Sequence, residues 1–175
     1  MMDLANRPIF LIGYRGTGKS TVARQLAKRL GCDWVDADDL VEERTGRSIA
    51  QIFAAEGEPA FRELEAEVVR EVCGRLRCVV ALGGGAVLRE DSRQSISAAG
   101  PIVWLRAGVG SIMERLAADS STKSRRPNLT SVGGREEIEA VLAARTPIYE
   151  GCATLIVDTE GKTAAEVADE IVARL

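Results

Sequence analysis

An open α/β fold, a parallel sheet covered by helices, is the architecture this chain predicts. Two observations lead there. Short apolar runs alternate with stretches of helical periodicity along the 175 residues, and a glycine-rich loop joins the first run to the first helix. The length suits one compact domain, 1–175, and no repeat or linker divides it. Aromatic residues make up only 4% of the chain, so Val, Ile, Leu and Ala must build the core.

Ile9-Phe10-Leu11-Ile12 reads as a fully buried strand ended by Gly13. A helix over Lys19–Leu30 follows, with Val22, Leu26, Ala27 and Leu30 at helical spacing. Trp34-Val35 reads as a second strand running into Asp36-Ala37-Asp38. Ser48-x-x-Gln51 is a capping box that opens a short helix through Phe53. Residues 60–76 form a longer helix, charged on one side, with Phe61, Leu64, Val68 and Val72 on the other and Gly74 as its weakest point. Residues 78–82 are a third buried strand, stopped by Gly83-Gly84-Gly85; 101–105 are the fourth, and a helix covers 111–118. The polar, Gly/Ser/Thr-rich stretch 119–134 is expected as a long mobile loop, a length that in compact domains serves as a lid or an insert. A helix over 136–149, a fifth strand over 154–157 and a terminal helix complete the pattern. The last opens at the capping box Thr163-x-x-Glu166 and buries Val167, Ile171 and Leu175.

Charge and composition remove several classes of function. Twenty-three basic residues against twenty-six acidic ones give a net charge of −3, which is not the footprint of a general nucleic-acid binder. The local cluster Lys123-Ser124-Arg125-Arg126 can still serve one phosphorylated ligand. Histidine is absent, so proton handling falls to carboxylates, lysine or the substrate, and His-based triads and zinc sites are excluded. Cys32, Cys73, Cys78 and Cys152 form no C-x-x-C pair and read as free thiols of a reducing compartment. Neither a leader nor a membrane-length apolar run is visible, so the expectation is a soluble, cytoplasmic monomer with no membrane partner.

The segment Gly13-Tyr14-Arg15-Gly16-Thr17-Gly18-Lys19-Ser20-Thr21 matches G-x-x-x-x-G-K-[ST] between a buried strand and an amphipathic helix, the setting this phosphate-binding motif requires. Gly16 and Gly18 permit backbone conformations that turn successive N–H groups inward as a nest for phosphate oxygens. The helix N-terminus adds its dipole. Lys19 is placed to reach the β- and γ-phosphates, and the Ser20 hydroxyl to ligate Mg²⁺. No N-K-x-D guanine motif is present, which favours ATP over GTP.

Five further features suit a small anionic acceptor, and each alone has a plainer explanation. Asp36 and Asp38 sit two apart past the second strand, where extended backbone aims both into one crevice; Asp38 and Asp39 also suit a helix cap. Gly83-Gly84-Gly85 permits close approach of a ligand, or merely a tight turn. Arg62 lies on a Glu-rich helix face where a surface ion pair is expected, and Arg145 near a helix end where it can pair with the dipole. Arg126, in the long polar loop, suits either phosphate or a solvated charge cluster.

Taken in order, these pieces resemble the shikimate kinase family over nearly the whole chain. They are Gly16-Thr17-Gly18-Lys19-Ser20-Thr21, Asp36-Ala37-Asp38, Glu43-Arg44-Thr45-Gly46-Arg47-Ser48-Ile49, Phe61-Arg62-x-x-Glu65, Leu82-Gly83-Gly84-Gly85-Ala86, Arg126-Pro127 and Arg145-x-Pro147-x-Tyr149. The resemblance implies a three-layer P-loop kinase fold with strand order 2-3-1-4-5, an acceptor-binding region at about 36–64 and a lid at about 119–134. It implies phosphorylation of the 3-hydroxyl of shikimate by ATP, with Mg²⁺, on the route to chorismate and the aromatic amino acids. Asp38 would orient or deprotonate the 3-hydroxyl, Arg62 and Arg145 would hold the carboxylate, and Gly84 and Gly85 would contact the ring. Asp36 would hold Mg²⁺ beside Ser20, Arg126 would neutralise phosphate charge from the lid, and Arg115 is offered for stacking on adenine. The physical reading of the residues alone leaves open a kinase for another polyol acid, such as gluconate, and a non-catalytic nucleotide or metabolite sensor.

Overall fold

A computed structural model describes residues 6–119 and 134–175. Five parallel strands, β1 (Ile9–Ile12), β2 (Asp33–Asp36), β3 (Cys78–Ala81), β4 (Ile102–Arg106) and β5 (Leu155–Asp158), form one sheet in the order β2-β3-β1-β4-β5. The described helices are α1 (Lys19–Leu30), α2 (Ala37–Thr45), α3 (Ile49–Cys73), α4 (Glu90–Ala99), α5 (Val109–Ala118), α6 (Gly134–Cys152) and α7 (Ala164–Arg174). Fold class and strand order are those expected.

The period-2 alternation of each strand sorts its side chains into two cores. Phe10, Ile12, Val80, Ile102 and Trp104 face α2, α3, α4 and α6 through Val41, Ile52, Val69, Ile96 and Tyr149. Ile9, Leu11, Val79, Val103 and Val157 face α1 and α7 through Val22, Leu26, Val167 and Ile171. Because both faces are covered, the strands read as continuous apolar runs. Each fully buried Val, Leu or Ile contributes about 1.5–3 kcal/mol relative to exposure. A third, smaller cluster of Tyr14, Ala107, Ile112 and Ile138 packs α5 against α6 above the phosphate loop.

One helix, α2, corresponds only to the alternative reading of Asp38 and Asp39 as a helix cap, and another, α4, has no counterpart in the sequence reading. α2 begins directly at the end of β2, with Asp36 as its N-cap accepting a bond from Asp38 N at 2.9 Å. Asp36 therefore caps, not Asp38 or Asp39, and the Asp36-Ala37-Asp38 segment is a strand-to-helix turn rather than extended chain. α4 is short and polar on most of its surface, with Ser92 and Ile96 as its buried residues. The helix expected to end at Phe53 continues to Gly57, whose φ of 79° and ψ of 176° break it before Pro59 starts the next segment of α3. Both capping boxes form as expected, Ser48 with Gln51 and Thr163 with Glu166. The loop expected over 119–134, with Arg126, lies outside the described residues apart from its two ends.

Candidate active site

All five strands point their C-terminal ends the same way, which gathers the loops that follow β1, β2 and β3 at one edge of the sheet. There the loop after β1 turns into α1 with Gly18 as N-cap at φ 86°, a conformation that costs glycine little and other residues much. Thr17 is buried and donates its Oγ1 to Tyr14 O at 2.8 Å, so its side chain braces the loop from inside. Lys19 Nζ reaches back to Gly13 O at 2.8 Å and Tyr14 O at 3.0 Å, which holds its charge over the mouth of the nest. Ser20 Oγ donates to Asp36 Oδ2, joining the start of α1 to the start of α2.

One cavity is lined by Gly16, Gly18, Lys19, Ser20, Thr21, Asp36, Asp38 and Arg115. The strand-to-helix turn thus brings the two aspartates together with the phosphate loop. Arg115 donates to Thr159 Oγ1 at 2.9 Å and Thr159 O at 3.0 Å, which fixes α5 to the loop after β5. A serine hydroxyl and a carboxylate side by side beneath a phosphate nest are hard oxygen donors, the set that Mg²⁺ takes when substrate phosphates and water complete its shell. The residues present fit that ion.

A second, narrower cavity adjoins the first. Its walls include Tyr14, Arg15, Ile49, Phe53, Phe61, Arg62, Glu65, Gly84, Gly85 and Arg145. Arg62, Gly84, Gly85 and Arg145, which the sequence places far apart, converge here. Arg62 does pair with its helix neighbours, through Nη2 to Glu58 Oε1 at 2.8 Å and Nη1 to Glu65 Oε2 at 2.7 Å. Its side chain is only 15% exposed, and although Glu58 reaches the surface, the pair with Glu65 is shielded from solvent. Arg145 is buried in the middle of α6, because the helix runs on to Cys152 past Pro147; pairing with a helix end does not apply. Tyr149, one turn on, donates its hydroxyl to Gly84 O at 2.6 Å and pins α6 to the glycine turn. A Cβ on Gly85 would lie 2.3 Å from Arg62 Nη1, so the missing side chain makes room for the guanidinium.

Glu65 and Tyr14 escaped a role in the sequence reading. Burial pushes the Glu65 carboxyl above its ordinary range, while Arg62 and Arg145 pull it back. Its Oε1 and the Tyr14 hydroxyl oxygen are buried without a hydrogen-bond partner among the described residues, although both side chains line this cavity. Orphaned polar atoms at the wall of a cavity mark places where a bound polar molecule completes the bonding. Arg15 escaped as well, since it occupies a variable position of the phosphate-loop motif and no spacing rule singles it out. Among the described residues no group of three or more Cys, Asp or Glu side chains could hold a metal by itself, and no helix is long and apolar enough to cross a membrane.

Comparison with known proteins agrees with this geometry. Residues 15–175 match the model of the family described as shikimate kinase. The shikimate kinase of Rhodopirellula baltica is 43% identical over 163 residues, covering 93% of this chain and 87% of that protein. The one from Thermodesulfovibrio yellowstonii is 41% identical over 94% of this chain and 92% of its own length. Among solved structures, shikimate kinase from Acinetobacter baumannii in complex with shikimate superposes with a TM-score of 0.89 at 32% identity, over 96% of this chain and 92% of that one. A single family accounts for the phosphate loop, the acceptor-side motifs and the strand order together: the chain belongs to the shikimate kinases.

Proposed function

We propose that the protein transfers the γ-phosphoryl group of ATP to the 3-hydroxyl of shikimate, giving shikimate 3-phosphate and ADP on the route to the aromatic amino acids. The observation that carries this reading is the adjoining pair of cavities, one floored by a phosphate nest and the other flanked by the buried Arg145 and the half-buried Arg62 beside a glycine turn. Phosphoryl transfer needs in-line placement and charge neutralisation more than covalent help. Lys19 would draw the β- and γ-phosphates toward the nest, and the backbone of Gly16, Gly18, Ser20 and Thr21 would hold them. Arg62 and Arg145 would grip the carboxylate, Gly84 and Gly85 would let the ring approach, and Asp38 would accept the bond, and then the proton, of the attacking hydroxyl. With no histidine in the chain, Asp38 has no imidazole to replace it. Ser20 and Asp36 would hold Mg²⁺, which when bound neutralises phosphate charge. Arg126 would add positive charge from the segment over about 119–134, acting as a lid above the domain's acceptor region at about 36–64.

ADP release measured with shikimate, with gluconate and with no acceptor tests the reading directly. Rapid release is expected with shikimate alone. Release that is as fast without an acceptor, or faster with gluconate, overturns it.

A further inference from the structure

Tyr14 is the second residue of the phosphate loop, and its backbone is held firmly. Its carbonyl accepts from Thr17 Oγ1 at 2.8 Å, Lys19 Nζ at 3.0 Å and Thr17 N at 3.3 Å. Its side chain is 1% exposed and packs with Ala107, Ile112 and Ile138. A phenylalanine would meet all of these needs, so the hydroxyl is the part that packing does not explain. That oxygen is buried without a hydrogen-bond partner among the described residues, in a side chain that lines the acceptor cavity. A buried hydroxyl left so is destabilising, whereas an apolar group of the same shape is not.

The cavity wall itself offers this O–H nothing to bond. Arg15, Arg62 and Arg145 carry donors only. Gly84 O already accepts from Tyr149. Glu65 has acceptors, but its Oε2 takes Arg62 and its Oε1 is itself unpartnered, so the two side chains do not meet. Burial raises the pKa of the Tyr149 hydroxyl, Arg145 lowers it and Tyr14 raises it, which sets Tyr14 near the arginine proposed to hold the acceptor's carboxylate. The missing acceptor atom must therefore arrive with whatever enters the cavity.

We infer that Tyr14 is a specificity-determining residue for the acceptor: its O–H donates to one oxygen of the bound acid, and the site thereby rejects acids that lack that oxygen. The selection rests on an asymmetry. An acid with the oxygen in place completes the bond, while one without it leaves the hydroxyl both dry and unpaired, a penalty that a purely apolar wall would not impose. Arg62 and Arg145 select for negative charge; Tyr14, which is uncharged, selects for an oxygen at one position.

The inference rests on the proposed shikimate site, and the test tells the two apart. Shikimate, its three monodeoxy analogues and the primary alcohol made by reducing its carboxylate are each titrated calorimetrically into the full chain and into Tyr14→Phe. The readout is the Kd of each analogue divided by that of shikimate. A parent that binds no shikimate sinks the proposed function itself. In a binding-competent parent, Tyr14→Phe should lower one of the four ratios about tenfold and leave the other three at parent values. The Kd of a non-hydrolysable ATP analogue should stay as in the parent. A water trapped on the hydroxyl would instead weaken all five acceptor ligands alike, and a merely structural hydroxyl would move the melting temperature alone. Either result leaves every ratio parent-like and overturns the inference. Tyr14→Leu carries the same comparison should Tyr14→Phe not fold, and a parent that discriminates against none of the analogues overturns the inference without any variant.

Discussion

Glu65 carries its carboxylate into the acceptor cavity at 4% exposure, where desolvation raises its pKa against the pull of Arg62 and Arg145. A carboxyl whose folded pKa lies above its unfolded value binds a proton more readily in the native state. Its contribution to stability is therefore present below the ordinary glutamate range and is lost as pH rises through the folded value. Glu65→Gln cannot ionise, so the stability of the parent relative to this variant should fall as pH climbs from about 4 toward neutrality. Thermal melts of both proteins at stepped pH check this; a constant difference across the range contradicts it. Asp36 and Asp38 call for a different comparison. Asp38→Asn should lower kcat about 10²- to 10³-fold, the modest end of general-base help that a loose transition state needs. Asp36→Asn keeps the cap on α2, since an asparagine oxygen accepts the same bond from Asp38 N. Its deficit should recover in part at high Mg²⁺. A Mg²⁺ titration of kcat in both variants decides, and rescue of Asp38→Asn alone would mean the two roles are reversed.

At the scale of elements, the break in α3 is the feature that shapes the acceptor cavity. Gly57 holds a φ/ψ pair that side chains avoid, and the bend lays Phe53 against Phe61 with ring centroids 5.0 Å apart. Gly57→Ala should cost about 1–3 kcal/mol of stability. The shift in denaturation midpoint measures it, and shikimate affinity should drop while affinity for the nucleotide holds. The strands, α1, both capping boxes and the phosphate loop were legible because each rests on local chemistry: apolar runs, helical spacing, a Ser or Thr three residues before Gln or Glu. α2 was not, because its N-cap Asp36 is also the last residue of β2 and no loop separates them. α4 was missed because a ten-residue polar helix with Ser92 and Ile96 as its buried residues has almost no apolar period to detect. Arg62 and Arg145 were legible as candidates through motif order, whereas Arg15, Glu65 and Tyr14 join the cavity only through tertiary packing that no local rule encodes.

For the molecule as a whole, ligand binding and folding are linked, since each substrate binds the native chain alone. Saturation at 100 times Kd should stabilise the fold by about 2.7 kcal/mol per ligand. Melting curves with shikimate and with an ATP analogue should therefore both shift upward. Arg145→Lys, which loses the bidentate fork, should shrink the shikimate shift and spare the nucleotide shift, and Lys19→Ala the reverse. Equal loss of both shifts in Arg145→Lys would contradict the division of labour between the cavities. The bond from Tyr149 to Gly84 O also has a mechanical side. It fastens one end of α6 like a hinge pin, with Arg145 about 6 Å along the rod and Glu137 about 18 Å along it, at roughly 1.5 Å per residue. Tilting such a rod moves its far end about three times as much as the near one. A rotation about that pin that displaced Arg145 by a fraction of an ångström would carry Glu137, about three times as far along the rod, about three times that distance, so the end of α6 that meets the phosphate loop through Arg15 is the long arm of a lever.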